Sequence, residues 1–246
     1  MPVATIQMHS KMLGFHTTYH VLLPNPDKVG PGPYDVLLQL HGYSDDHNAW
    51  LHKSNLWLFI EKLPLIVVLP NGSNYFWADM HPTLRYESFL VQDLWNYINT
   101  TFPVRKDKRW AIGGLSMGGF GALRLGMKYP DKFCSIWAHS SVIPTQEEMI
   151  ERFFIKEPEL LKDMDCYEWA RQLNPATMPR LAFDCGTEDE LLGHNRRFHK
   201  LLEQRGLPHT YNEHPGAHTW DYWDLHVRTA LKQHAEVLDI QPVVEK

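Results

Sequence analysis

The sequence predicts an α/β protein, a mostly parallel central sheet flanked by helices. From about residue 34 short β-rich runs alternate with helix-length amphipathic stretches, the rhythm a parallel sheet with covering helices requires. Several of these runs are apolar nearly throughout, as strands buried on both faces must be. A chain of 246 residues can also bury roughly 70 to 75 % of its unfolded surface, enough for one substantial core.

In chain order, the first thirty residues, with 17–23 alternating, supply antiparallel edge strands. The main strands are expected at 34–40, 65–69, 109–112, 133–138, 180–184 and 209–213. Between them Leu90, Leu94, Tyr97 and Ile98 recur at helical spacing, as do Phe198, Leu201 and Leu202 before Gly206, a natural helix stop. A last helix carries Trp223, Val227, Ala230, Leu231 and His234 on one face. Residues 140–179 break the rhythm: they lack a strand and read as two acidic helices, 147–154 and 158–173. With no internal repeat, 1–246 reads as a single domain whose segment at about 140–179 is a cap-like insertion over the carboxyl edge of the sheet.

Composition excludes several classes of function. With 24 basic and 29 acidic side chains, net charge −5, and no Lys/Arg run, nucleic acid is not expected as a partner. The longest apolar runs fall far short of the ~20 residues that cross a bilayer, so no membrane span is expected. Residues 1–20 lack the apolar core of a secretory signal, and the three cysteines have no Cys-x-x-Cys spacing. Both fit a cytoplasmic protein. The oligomeric state stays open, a homo-oligomer included.

The chemistry is concentrated around Gly-Gly-Leu-Ser116-Met-Gly-Gly. A bare Gly-x-Ser-x-Gly arises by chance in a chain this long roughly one time in ten, so its flanks decide. Trp110-Ala-Ile-Gly-Gly precedes Ser116 as a strand, and a helix rich in small residues follows from Met117 to Tyr129. That is the strand-turn-helix setting of a nucleophile elbow, where strained backbone exposes the serine and small neighbours let strand and helix approach. The helix also aims free N–H groups at the reacting centre, with Met117 as an oxyanion donor.

A serine hydroxyl needs a base, and the base an orienting acid, in the chain order Ser, acid, His. Pro215-Gly-Ala-His218-Thr-Trp220 follows the last strand, which selects His218, with His214 inside or ending that strand as the alternative. The strand at 180–184 ends at Gly186-Thr-Glu188-Asp189, on the edge where α/β sheets bind ligands; Asp189 is favoured over Glu188, while Asp184 lies buried within the strand. His41-Gly42-Tyr43-Ser44 occupies the place of the loop that supplies a second oxyanion N–H, from Tyr43; His41 braces that loop. The stretch His41, Asp45, Asp46, His47 and His52 also invites a metal reading, but Tyr43 stands where a second ligand belongs, so no metal site is expected and Asp45 to His47 read as a turn or cap.

With these motifs in place the chain resembles the esterase D-like group of the α/β-hydrolase superfamily, which includes tributyrin-type, feruloyl and acetyl-xylan esterases and S-formylglutathione hydrolases. The resemblance spans Leu40-His-Gly, Asn48-Ala-Trp50, Leu69-Pro-Asn-Gly72, Tyr86-Glu87, Gly114-Leu-Ser-Met-Gly-Gly119, Cys185-Gly-Thr-Glu-Asp189 and Gly216-Ala-His-Thr-Trp220. It implies the α/β-hydrolase fold with a small helical cap, Ser116 as nucleophile, Asp189 as acid, His218 as base, Tyr43 and Met117 as oxyanion donors, and no cofactor. Two departures stand out: Asp45 replaces a frequent glycine, and the Leu-Thr-Cys loop usual in S-formylglutathione hydrolases is absent. The match is closer to tributyrin-type esterases, which implies a small-molecule ester substrate with a short or aromatic acyl group.

Trp50, Phe76, Trp77 and His139, with the 140–179 insertion, are expected to wall the pocket. Rival readings are an acyltransferase that passes the acyl group to an alcohol, as mycolyltransferases of similar fold do, an S-formylglutathione hydrolase-like thioesterase, and an inactive α/β-hydrolase used for binding.

Overall fold

The computed structural model describes residues 1–153 and 155–243. Along the chain run β1 (Val3–His9), β2 (His16–Leu22), α1 (Pro26–Val29), β3 (Asp35–Leu40), α2 (Ala49–His52), α3 (Leu56–Phe59) and β4 (Leu65–Leu69). A small hairpin follows, β5 (Asp79–His81) and β6 (Leu84–Arg85), then α4 (Tyr86–Ser88), a π-helical stretch at Phe89–Leu94 and α5 (Trp95–Thr101). The second half holds β7 (Trp110–Leu115), α6 (Met117–Lys128), β8 (Phe133–His139), α7 (Gln146–Phe153), α8 (Pro158–Met164), α9 (Cys166–Gln172), β9 (Arg180–Gly186), α10 (Leu192–Gln204), β10 (His209–His214) and α11 (Trp220–Leu238).

Eight strands pair in the order β1-β2-β4-β3-β7-β8-β9-β10. β2 runs antiparallel to both β1 and β4, and every pairing from β4 across to β10 is parallel. This is the α/β-hydrolase architecture, with β1 and β2 as the predicted antiparallel margin. All residues of β3, β4 and β7 are buried, whereas β1 alternates, because only central strands are covered on both faces.

The period of two then divides the apolar core between the two faces of the sheet. Val36, Leu38 and Leu40 of β3 join α6 and the helix at 86–101 on one face, and Leu37 joins Trp223, Val227 and Leu231 of α11 on the other. The 3.6-residue spacing predicted across 90–98 is interrupted by the π-helical turns. No helix among the described residues is long and apolar enough to cross a membrane.

Among the described residues the 140–179 segment forms three helices rather than two. Asp165 ends α8 and caps α9, its Oδ1 accepting the N–H groups of Tyr167 at 2.8 Å and Glu168 at 3.1 Å. The predicted end of the first helix at Phe154 lies outside the described residues. Met149, Leu161, Met164, Cys166 and Ala170 are buried in the same core as α6, so these helices dock on the α6 face of the sheet.

Candidate active site

Ser116 sits between β7 and α6 at φ 54°, ψ −117°, a left-handed conformation that non-glycine residues rarely hold and that turns the side chain out from the sheet edge. The tight turn needs a bare backbone beside it: a Cβ on Gly118 would lie 2.4 Å from the Leu40 carbonyl oxygen. Met117 opens α6, where the first N–H groups have no helical acceptor.

His218 Nε2 lies 3.0 Å from Ser116 Oγ, and His218 Nδ1 lies 2.8 Å from Asp189 Oδ2. The Asp189 side chain is fully shielded and that of His218 is 25 % exposed, so the carboxylate is screened while the imidazole faces the cavity. Burial alone would raise the Asp189 carboxyl, but hydrogen bonds from His218 and the Leu191 N–H outweigh it and hold the group below its ordinary value. The loops carrying Asp189 and His218 touch closely: a Cβ on Gly186 would meet the Gly216 carbonyl oxygen at 2.1 Å. Glu188 is exposed on the surface. His214 ends β10 and stacks on His226 with ring centroids 4.3 Å apart, away from Ser116.

The His41–Ser44 loop passes beside the serine, where a Cβ built on Gly42 would stand 3.5 Å from Ser116 Cβ. His41 is buried, with Nδ1 2.8 Å from the Gly42 carbonyl oxygen and Nε2 accepting the Gly72 N–H at 2.9 Å. Burial pushes its pKa down, which favours neutral imidazole. Ser44, at φ 64°, donates its N–H to Asn74 Oδ1 at 2.7 Å.

A cavity of about 550 Å³ opens over Ser116, Met117 and His218. Its apolar wall comes from Phe76, Leu115, Val142, Leu191, Trp220 and Trp223, and Asp45, Lys53 and Glu190 give it a polar rim. Three residues expected in this wall lie elsewhere. Trp50 is buried and donates Nε1–H to the Leu40 carbonyl at 2.9 Å. Trp77 fills the space above Gly72 and Gly121 and packs edge-on against His41. His139 lies beneath the site with Nδ1 2.8 Å from Asp184 Oδ2. That carboxylate also accepts from Trp137 Nε1 at 2.6 Å and the Tyr222 hydroxyl at 2.9 Å; burial would raise it, yet the His139 contact and these bonds keep it below its usual range. From the 140–179 segment Val142 lines the cavity.

The Esterase family model matches residues 10–234 of this chain. The chain belongs to the Esterase family. It is 29 % identical over 266 residues to an acetyl esterase of Caldicellulosiruptor saccharolyticus, covering 97 % of this chain and all 100 % of that one. A solved ferulic acid esterase superposes with a TM-score of 0.84 at 25 % identity, covering 96 % of this chain and 98 % of the other. An S-formylglutathione hydrolase from Staphylococcus aureus gives a TM-score of 0.81 at 25 % identity, covering 95 % and 99 %. The protein is a carboxylic-ester hydrolase.

In this esterase the residues of the metal reading have other partners. Asp45 pairs with Lys53, Asp46 accepts the Asn48 N–H at 2.8 Å, and His47 tilts against His20 with centroids 4.7 Å apart. His52 ends α2 beside a separate polar cleft. Sequence reasoning passed over Lys53, Glu190 and Leu191 as site residues. Glu190 and Leu191 directly follow Asp189, a proximity that signals a shared loop; Lys53 carries no such mark.

Proposed function

We propose that this esterase hydrolyses short-chain acyl or aromatic esters through an acyl-enzyme on Ser116. The observation that carries the reading is His218, within hydrogen-bond distance of Ser116 Oγ on one side and Asp189 on the other. Asp189, held ionised, fixes the tautomer with the proton on Nδ1 and leaves the Nε2 lone pair for the serine proton. As Ser116 attacks the ester carbonyl, His218 takes that proton and the N–H groups of Tyr43 and Met117 receive the developing oxyanion. Collapse of the tetrahedral adduct expels the alcohol, which His218 protonates. Water, deprotonated by the same histidine, then releases the acid and restores Ser116.

The Phe76, Trp220 and Trp223 wall supports an aromatic or compact acyl group, in keeping with an acetyl esterase and a ferulic acid esterase among the similar proteins. A reducing cytoplasm as the place of action is supported by three free cysteines.

Ser116→Ala assayed with p-nitrophenyl acetate and butyrate tests the reading: turnover falls to background, and a fluorophosphonate probe labels the wild-type serine alone. Wild-type turnover by the purified variant would overturn it. A series of p-nitrophenyl and feruloyl esters then ranks the acyl groups, with an S-acyl glutathione included to test for thioesterase activity.

A further inference from the structure

We infer that the turn at 71–74, acting through His41 and Asn74, is the template that orients the oxyanion loop. This deepens the reading of Tyr43 as an oxyanion donor and rests on it.

The hydrogen bonds around His41 admit one tautomer. The Gly72 N–H can only donate, so Nε2 must offer its lone pair; the Gly42 carbonyl can only accept, so Nδ1 must carry the proton. A neutral imidazole thus spans two chain segments, with no room to turn: the side chain is buried and Trp77 packs edge-on at a centroid distance of 4.8 Å.

The consequence lies in the peptide plane. The Gly42 carbonyl and the Tyr43 N–H belong to one rigid trans peptide and point in opposite directions. A donor fixed on the carbonyl oxygen therefore fixes where the N–H points, and it polarises the peptide so that the N–H donates more strongly. The other flank is held from the same turn, by the bond from the Ser44 N–H to Asn74 Oδ1. Ser44 is at φ 64° and Ser73, the residue before Asn74, at φ 46°, left-handed conformations that local propensity does not favour.

Two substitutions divide the functions of the imidazole. Asparagine offers a donor near the Nδ1 position and glutamine an acceptor near Nε2. With p-nitrophenyl acetate, His41→Gln is expected to lose about 100-fold in kcat with KM within about twofold, the scale of a missing oxyanion donor. Affinity for phenylboronic acid, whose serine adduct places an oxygen in the same hole, falls in step. His41→Asn keeps kcat within about tenfold of wild type, and Asn74→Ala loses about 3- to 10-fold in kcat with an unchanged unfolding midpoint, the range of one hydrogen bond. Wild-type kcat in His41→Gln, or a kcat loss without weaker boronate binding, overturns the inference. If both position-41 proteins fail to fold, Asn74→Ala decides: wild-type kcat and boronate affinity there overturn it. An inactive Ser116→Ala beside a fully active His41→Gln would sink the template alone, whereas an active Ser116→Ala would sink the reading beneath it.

Discussion

The guanidinium of Arg124, wholly buried in α6, meets the carboxylate of Glu87 at 2.5 Å. Arg124 also pairs with Asp163 at 2.5 Å and donates to the Trp77 carbonyl at 2.9 Å, so one cation ties α6 to α4, to α8 and to the loop that packs on His41. Removing one member of a buried pair strands the other's charge at a cost of about 3–5 kcal/mol. Arg124→Met should therefore lower the melting temperature by roughly 10 °C, at about 2–4 °C per kcal/mol in a chain of this size. Differential scanning calorimetry checks it, and an unchanged transition would show that the pair adds little.

Glu87 gives this network a pH signature. Burial would raise its carboxyl, but the Arg124 charge and hydrogen bonds from Lys128 and Tyr129 bring it from the ordinary 4.5 down to about 2. A carboxyl depressed in the folded state stabilises fully above its unfolded value, and that contribution fades as pH falls through the folded one. The difference in unfolding free energy between wild type and Glu87→Gln is thus expected to hold steady above pH 4.5 and to shrink between 4.5 and about 2. Urea titrations across that window measure it; a difference constant with pH would contradict the assignment.

Asp189→Asn removes the carboxylate charge 2.8 Å from His218 Nδ1 while preserving the side-chain volume. An amide that donates toward Nδ1 favours the opposite tautomer, with the proton on Nε2 facing Ser116. The expected loss in kcat is about 10³- to 10⁴-fold with p-nitrophenyl acetate. Circular dichroism and the melting temperature show whether the variant remains folded, and a loss under tenfold would remove Asp189 from the proposed mechanism.

The strands, the elbow and the positions of Asp189 and His218 at strand ends were legible because period, turn chemistry and chain order are local properties. Trp50, Trp77 and His139 were misread because an aromatic near a site motif has two directions to point, and composition does not choose between them. The direction is set by distant partners: Leu40 for Trp50, Gly72 and Gly121 for Trp77, Asp184 for His139. How the insertion docks was not legible for the same reason, since its Asp163 pairs with Arg124, 39 residues away. Its break at Asp165 has a local cause, a side chain that competes for backbone N–H groups and starts a new helix.

Trp220 offers a test of specificity. The half-buried ring lines the cavity, stands edge-on to Trp50 and Trp223 at centroid distances of 5.1 and 5.4 Å, and has Lys53 Nζ 5.6 Å from its centre. A ring–ring contact of this kind with an aromatic ester is worth about 0.5–1.5 kcal/mol beyond plain burial, which corresponds to roughly 2- to 12-fold in affinity. A contact remote from the reacting carbonyl contributes equally in ground and transition states, so Trp220→Ala should raise KM for aryl esters by this factor and leave kcat within about twofold. Ethyl acetate, which has no ring to stack, should show little change in KM. Steady-state kinetics on both substrates decide the matter: an equal rise for the two would mean that Trp220 shapes the cavity as a whole and does not select aromatic groups.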